Sequence, residues 1–181
     1  MTTYDFSRAG LYEVLHYRGI FDLRGLYKFM VEYLEKKGFE FNEKVMKYKT
    51  AEIEFEWEAK RKADAYVRHI ITVVMHLYGD GPGETPVDEV EVIKDGEKKK
   101  MIKARMTLTF SGKVETGYPD DFGESRWNKS PFLVKLQSVF EKSVIKQELD
   151  FKHMDPLYYE ILRFFDAVKR YLEMEGTGTF Y

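Results

Sequence analysis

The chain has 181 residues, of which 44% are apolar and 33% are charged, and its length and composition are typical of one globular domain. It contains no cysteine, which excludes disulfide bonds, thiolate metal sites and a cysteine nucleophile. Its 29 Lys and Arg against 31 Asp and Glu give a formal net charge of −2, which disfavours a strongly basic nucleic-acid binder.

Targeting signals are not evident in the sequence. The first ten residues carry Asp5 and Arg8 and lack an apolar run of signal-peptide length. No later stretch approaches the ~18 uncharged apolar residues that a membrane span requires. We therefore expect a cytoplasmic protein that is not bound to membranes. We expect a single domain over residues 1–181, with a frayed tail from about residue 176.

The first predicted elements are a short strand at residues 12–18, which ends at Gly19, and a helix at residues 23–37. Asp22 precedes the helix, where its carboxylate accepts from free backbone N–H groups as an N-cap. Apolar residues follow at helical spacing, and Gly38 supplies the left-handed conformation that ends a helix.

Two strands are predicted next, at residues 51–60 and 66–78. In the first, Ile53, Phe55 and Trp57 alternate with a ladder of four glutamates: Glu52, Glu54, Glu56 and Glu58. The second is apolar on both faces, which is typical of a strand in the middle of a sheet. One of its two faces carries Tyr66, Ile70, Val74 and Tyr78.

A predicted hairpin follows the loop at residues 79–86, which is rich in Gly and Pro. The Asp95-Gly96 pair tolerates the positive φ angles of a type I′ turn, and it joins a strand around Val90 and Val92 to a long returning strand. That strand alternates over residues 102–115, with apolar residues on one face and mostly charged or hydroxyl residues on the other.

Two helices complete the prediction after a loop at residues 118–129. Ser130-Pro131 and Asp155-Pro156 each match an N-cap followed by the first helical position. The apolar stripes that follow end at about residues 149 and 174. The order β-α-β-β-β-β-α-α predicts an α+β fold, with a single antiparallel sheet of about five strands and the helices packed on one face.

Candidate catalytic and metal sites are weak. His69 and His76 share a strand but lie seven residues apart, so they point to opposite faces, and we expect His69 to be a hydrogen-bonded core residue. Neighbouring glutamates of the ladder stand about 6.8 Å apart, too far for a compact metal shell. We expect them to form ion pairs with Arg68, Lys103 and Arg105. The sequence favours a non-catalytic protein without a metal or another cofactor.

Three segments carry a resemblance: HYRGIFDLRGLYKFM at residues 16–30, the Glu52-x-Glu54-x-Glu56-Trp57 strand, and LYYEIL at residues 157–162. Together they resemble a widespread group of uncharacterised archaeal proteins over most of the chain. The resemblance implies an archaeal cytoplasm and supplies no function.

The leading functional hypothesis is a non-catalytic interaction module that binds a protein partner or a second copy of the chain. Its basis is a row of apolar and aromatic residues on the sheet face opposite the helices, which a partner would bury. The row consists of Tyr66, Ile70, Val74 and Tyr78.

A second hypothesis is a small-molecule binder or enzyme with a cavity between the sheet and the helices. The residues expected to line that cavity are Trp57, His69, Met106 and Tyr118.

A third hypothesis is an RNA or ribosome partner that acts through the basic hairpin at residues 94–105. Its phosphate contacts would be Lys98, Lys99, Lys100, Lys103 and Arg105. The same lysines also suit a solvated hairpin edge that is protected from aggregation.

Overall fold

The computed structural model describes residues 2–7, 10–49, 52–64, 67–81, 85–94, 97–116 and 150–174. The elements in chain order are β1 (Thr2–Asp5), β2 (Glu13–Phe21), α1 (Leu23–Lys36), β3 (Glu40–Tyr48), β4 (Glu52–Lys62), β5 (Val67–Gly79), β6 (Asp88–Lys94), β7 (Glu97–Thr116), a π-helical turn (Asp150–Met154) and α2 (Asp155–Tyr171). All these strands join one antiparallel sheet, which confirms the predicted α+β fold. The predicted turn at 95–96, loop at 118–129, helix at 131–149 and tail from 176 lie outside the described residues.

The centre of the sheet is β7, which has 20 residues and pairs with four other described strands. Residues 104–110 pair with β2 and β5 at once, so these two strands lie on opposite edges of β7. In the same way β1 continues the edge of β2, and β6 continues the edge of β5. Because β4 and β3 follow β5, the sheet is five strands wide although seven described strands form it.

Two described strands were not predicted. β1 has only four residues, and β3 contains a bulge between Glu43 and Val45. The bulge moves Val45 to the other face from the one it would take in a regular strand, so the alternation on which the prediction depends is interrupted. The prediction that β2 ends at Gly19 was also wrong. β2 continues to Phe21, because β7 supplies pairing partners as far as Ile102.

Both described helices pack on the same face of the sheet. The buried residues of α1 are Leu26, Met30 and Leu34, and those of α2 are Leu157, Ile161, Phe164 and Val168. They meet one face of β4, β5 and β7, which includes Trp57, Met75 and Phe110. At Gly112 a Cβ atom would lie 2.6 Å from Ile161 Cδ1, so glycine is what allows α2 to approach β7.

The predicted helix ends are confirmed for α1 and need correction for α2. Asp22 Oδ1 accepts from the Gly25 N–H at 2.8 Å, and Gly38 has a φ of +79°. Asp155 was expected to cap the last predicted helix, which corresponds to α2, but it lies inside the first turn, and Met154 holds the cap position without a side-chain hydrogen bond. Among the described residues, no helix is both long and apolar enough to cross a membrane.

Candidate ligand site on the open face of the sheet

We call the sheet face opposite α1 and α2 the open face, because neither described helix lies on it. Strand register fixes which of its side chains are neighbours. Glu52, Tyr78, Arg105 and Arg18 form one row across β4, β5, β7 and β2. The next row is Glu54, His76, Thr107 and His16. Side chains in a row stand about 4.8 Å apart from strand to strand.

The glutamate ladder lies on the open face, as predicted, but its ion-pair partners were predicted wrongly. Lys47 Nζ lies 3.4 Å from Glu54, and Lys49 Nζ lies 3.3 Å from Glu52. These lysines come from β3 and the residue after it, and β3 was not predicted. The expected partners are engaged elsewhere: Arg68 with Glu115, Lys103 with Asp80, and Arg105 with the Gly79 carbonyl.

Glu58 differs from the rest of the ladder because it is only 4% exposed, whereas we expected it to face solvent. Its two carboxylate oxygens contact the ammonium groups of Lys44 and Lys60. Burial acts to raise the pKa of Glu58, but the hydrogen bond and charge of Lys44, together with Lys60, lower it below its usual value. This carboxylate therefore stays ionised although it is covered.

A cavity of about 470 Å³ opens where β2, β7 and β5 lie side by side. Its lining consists of His16, Tyr17, Arg18, Tyr78, Arg105, Met106 and Thr107. We call it the arginine cavity. A second cavity of about 380 Å³ lies on the same face near β1, lined by Thr3, Asp5, Lys44, Glu58, Lys60, Lys113 and Glu115.

The arginine cavity has an excess of positive charge. Arg18 and Arg105 are direct cross-strand partners on one face, an arrangement in which like charges repel. Asp80 lies beside them: the Arg18 Nε–H donates to its Oδ1 at 2.5 Å, and Lys103 Nζ lies 3.3 Å from its Oδ2. The Arg18 hydrogen bond lowers the pKa of Asp80. Asp88 lies opposite Lys103, so at the arginine end of the row two carboxylates face three cations.

The far wall of the arginine cavity is a fixed aromatic side chain. The Tyr78 hydroxyl donates to Glu52 Oε1 at 3.2 Å, and His76 Nδ1 lies 3.0 Å from the same oxygen. The two rings are nearly parallel, at 7° with centroids 6.2 Å apart. The His76 contact lowers the pKa of Glu52, whereas burial and the Glu52 hydrogen bond raise the pKa of Tyr78. Tyr78 therefore keeps its proton and donates to an ionised carboxylate.

Three of the four residues predicted to line a cavity under the helices lie in the core. Trp57, His69 and Met106 are 4%, 4% and 1% exposed, on the face that α1 and α2 cover. Trp57 packs against the rings of Tyr27 and Phe55, and His69 Nε2 lies 3.2 Å from His153 Nδ1. The prediction of a hydrogen-bonded core histidine at position 69 is confirmed. Tyr118 lies outside the described residues.

Three of the four residues predicted for self-association are less exposed than the sequence suggested. Ile70 is 2% exposed, in a row between Lys60 and Lys113. Val74 is partly buried, and Tyr78 contacts Glu52. Tyr66 lies outside the described residues. The open face therefore offers less apolar surface to a partner than its sequence pattern indicated.

The basic hairpin divides into two parts. Lys98, Lys99 and Lys100 are exposed where β7 extends with β6 beyond the other strands, and Lys100 Nζ lies 3.7 Å from Glu89. Lys103 and Arg105 instead point to the open face and belong to the arginine cavity or its edge. Sequence reasoning thus found Arg105 and Lys103 but missed Arg18, His16 and Asp80. The sequence offered one indication of these residues, which was that Arg18 stands at the end of a predicted strand.

No protein-family model matches the chain, and no curated protein matches it at a significant level of similarity. The resemblance to archaeal proteins therefore stays a prediction, and the case for function depends on the geometry described above.

Proposed function

We propose that this protein binds a small anionic ligand, one that carries a phosphate or carboxylate group, in the arginine cavity. The observation that carries the proposal is the direct opposition of Arg18 and Arg105 on neighbouring strands. Like charges in that relation destabilise a sheet unless a counter-charge lies between them. An anionic ligand supplies that counter-charge and gains charge-assisted hydrogen bonds from both guanidinium groups.

The hydrogen bonds of the two arginines support this proposal. In the described part of the chain, Arg18 is held through its Nε atom by Asp80, and Arg105 through its Nε atom by the Gly79 carbonyl. Among the described residues their terminal Nη groups have no hydrogen-bond partner, so these groups can meet a ligand. Both guanidinium groups are thus oriented by the protein before a ligand arrives, which reduces the entropy lost on binding.

The size of the arginine cavity also suits this class of ligand. Its volume of about 470 Å³ falls within the ~300–1,000 Å³ typical of small-molecule sites. The proposal keeps the earlier hypothesis of a small-molecule binder but moves the site to the other face of the sheet. Self-association has less support, because Ile70 is covered within the chain.

Calorimetric titration with pyrophosphate and with citrate tests the proposal and separates phosphate from carboxylate ligands. We expect binding that weakens with added salt, and a loss of about 10- to 100-fold in affinity for Arg18→Gln and for Arg105→Gln. The matched control is Lys113→Gln, in the second cavity on the same face, which should change affinity less than twofold. The proposal fails if neither anion binds, or if Lys113→Gln weakens binding as much as the arginine variants do.

A further inference from the structure

In the row of open-face side chains that lines the arginine cavity, Tyr78 lies at one end and the two arginines lie toward the other. Tyr78 is the direct cross-strand partner of Arg105, and Arg105 is the partner of Arg18. From the strand spacing, the Tyr78 position lies about 5 Å from Arg105 and about 10 Å from Arg18. A ligand that meets both ends must therefore carry its anionic group and a flat ring on one short frame.

Resting on the proposed anion site, we infer that the ligand is a mononucleotide, with its phosphate on Arg18 and Arg105 and its base against Tyr78. The elements of this assignment lie within one lining: two guanidinium groups with Lys103 at the edge, and an aromatic side chain opposite them. Arginine binds phosphate through paired N–H donors. Any of the nucleic-acid bases can stack on an aromatic ring, because each base has a flat π-face.

The orientation of the nucleotide follows from the charges in the row. Glu52 lies on the far side of Tyr78 from the arginines and contacts the Tyr78 hydroxyl. Its negative charge repels phosphate from that end of the row, while the arginines attract phosphate at the other. The base is therefore the part of the ligand that lies beside Tyr78.

Glu52 and His76 act as positioning residues for this aromatic wall. Glu52 Oε1 is shared by the Tyr78 hydroxyl and His76 Nδ1, and the His76 ring stands nearly parallel to the Tyr78 ring. A ring that is already oriented loses little freedom when a base stacks on it. Stacking of one base then contributes roughly 5- to 150-fold in affinity.

The test compares AMP with ribose 5-phosphate, which carries the same phosphate and sugar without a base. Titration of the full chain should show AMP binding at least 10-fold tighter than ribose 5-phosphate. Tyr78→Leu should remove that difference and leave ribose 5-phosphate affinity within twofold of the unaltered protein. Arg105→Gln should weaken both ligands by a similar factor.

Two control variants keep the test decisive. Tyr159→Leu replaces a tyrosine that is 60% exposed on α2, and it should change neither affinity. Tyr78→Phe keeps the ring and should keep AMP binding within about threefold, which applies even if Tyr78→Leu fails to fold.

The possible failures separate the two proposals. If AMP and ribose 5-phosphate bind equally, if Tyr78→Leu folds and leaves AMP binding unchanged, or if Tyr78→Phe folds and loses the preference for AMP, the nucleotide inference is overturned and the anion site stands. If neither AMP, ribose 5-phosphate nor pyrophosphate binds, both proposals are overturned. If an oligoadenylate binds more than 100-fold tighter than AMP, the ligand is an RNA strand and the mononucleotide assignment is overturned.

Discussion

On the helix-covered face of the sheet, ionisable side chains contact one another in a series that runs from Glu160 through Arg61 and His69 to His153. Arg61 contacts both oxygens of Glu160, at 3.1 and 2.6 Å, and its Nη2 lies 3.4 Å from His69 Nδ1. His69 in turn contacts His153. On the open face, cations and carboxylates alternate around the second cavity, whereas two arginines stand side by side in the arginine cavity. Buried charge must be matched within the protein, but exposed charge can be left for a ligand to match.

The largest expected effect tests which face each side chain of β4 occupies. Trp57→Ala should lower the free energy of unfolding by about 3–5 kcal/mol, because it removes a buried ring and leaves a cavity. Glu54→Ala should lower it by less than about 1 kcal/mol, because an ion pair on the open face contributes little. Urea unfolding of both variants measures the difference. Equal losses would contradict the assignment of the two faces.

The second prediction concerns the pH dependence of the covered face. Burial, with the charges of Arg61 and His153, lowers the pKa of His69 from 6.5 to about 4. Between these values the unfolded chain binds a proton that the folded chain does not, so stability falls as pH falls from about 6.5 to about 4. The shifted pKa of His69 should lower the free energy of unfolding by about 2 kcal/mol between pH 7 and pH 5.

Urea midpoints across that pH range check the His69 prediction. The variant His69→Gln should show a shallower pH dependence by a similar amount, because glutamine does not titrate. An identical slope in the variant and the unaltered protein would show that His69 is not the responsible group.

The third prediction compares two glutamates of the same ladder. Glu58 is 4% exposed and contacts Lys44 and Lys60, whereas the Glu54 side chain is 22% exposed and contacts Lys47. We expect Glu58→Ala to lower the free energy of unfolding by about 2 kcal/mol, more than Glu54→Ala does. Thermal and urea melts of both variants give the comparison. If Glu54→Ala cost as much, burial would not be what separates the two carboxylates.

The smallest expected effect is an increase in stability, at Thr72. Thr72 Oγ1 on the open face lies between Glu58 and Ser111 and is buried, and no group in the described part of the chain forms a hydrogen bond with it. Replacing a buried unpaired hydroxyl by a methyl group of similar shape removes its desolvation cost, so Thr72→Val should raise the free energy of unfolding by about 1 kcal/mol. Thr107→Val is the control, because Thr107 Oγ1 lies 3.2 Å from His16 Nδ1 and its loss should give no gain. A destabilised Thr72→Val would contradict this account.

Much of the fold could be predicted from local patterns. The strict alternation around Trp57, the two-sided apolar run that contains Ile71, and the Asp22 cap each placed an element close to its observed bounds. β3 was missed because its bulge breaks the two-residue period, and β1 because four residues are too few to show one. Local pattern is therefore sufficient for regular elements and fails where a strand is short or irregular.

The candidate site was harder to predict because its parts are distant in sequence. Arg18 and Arg105 become neighbours only through the register of β2 on β7, which no local pattern specifies. Asp80 lay in a loop that was recognised only by its glycines and prolines. The prediction that lysines and Arg105 mark a binding surface named part of the candidate site. It did not name Arg18, which lies near the N-terminus and adds the second positive charge beside Arg105.

The long central strand has a consequence for how the protein is made. Thr2 pairs with Thr116 and Phe21 with Ile102, so β1 and β2 find their partners only after roughly 80 to 115 further residues have been added. At about 5–20 residues per second, translation would leave the first two strands unpaired for roughly 4–20 s. During that interval Leu15 and Phe21, which are 2% and 5% exposed in the finished fold, are accessible to chaperones. The sheet can thus close only after the end of β7 has been made and has left the ribosome.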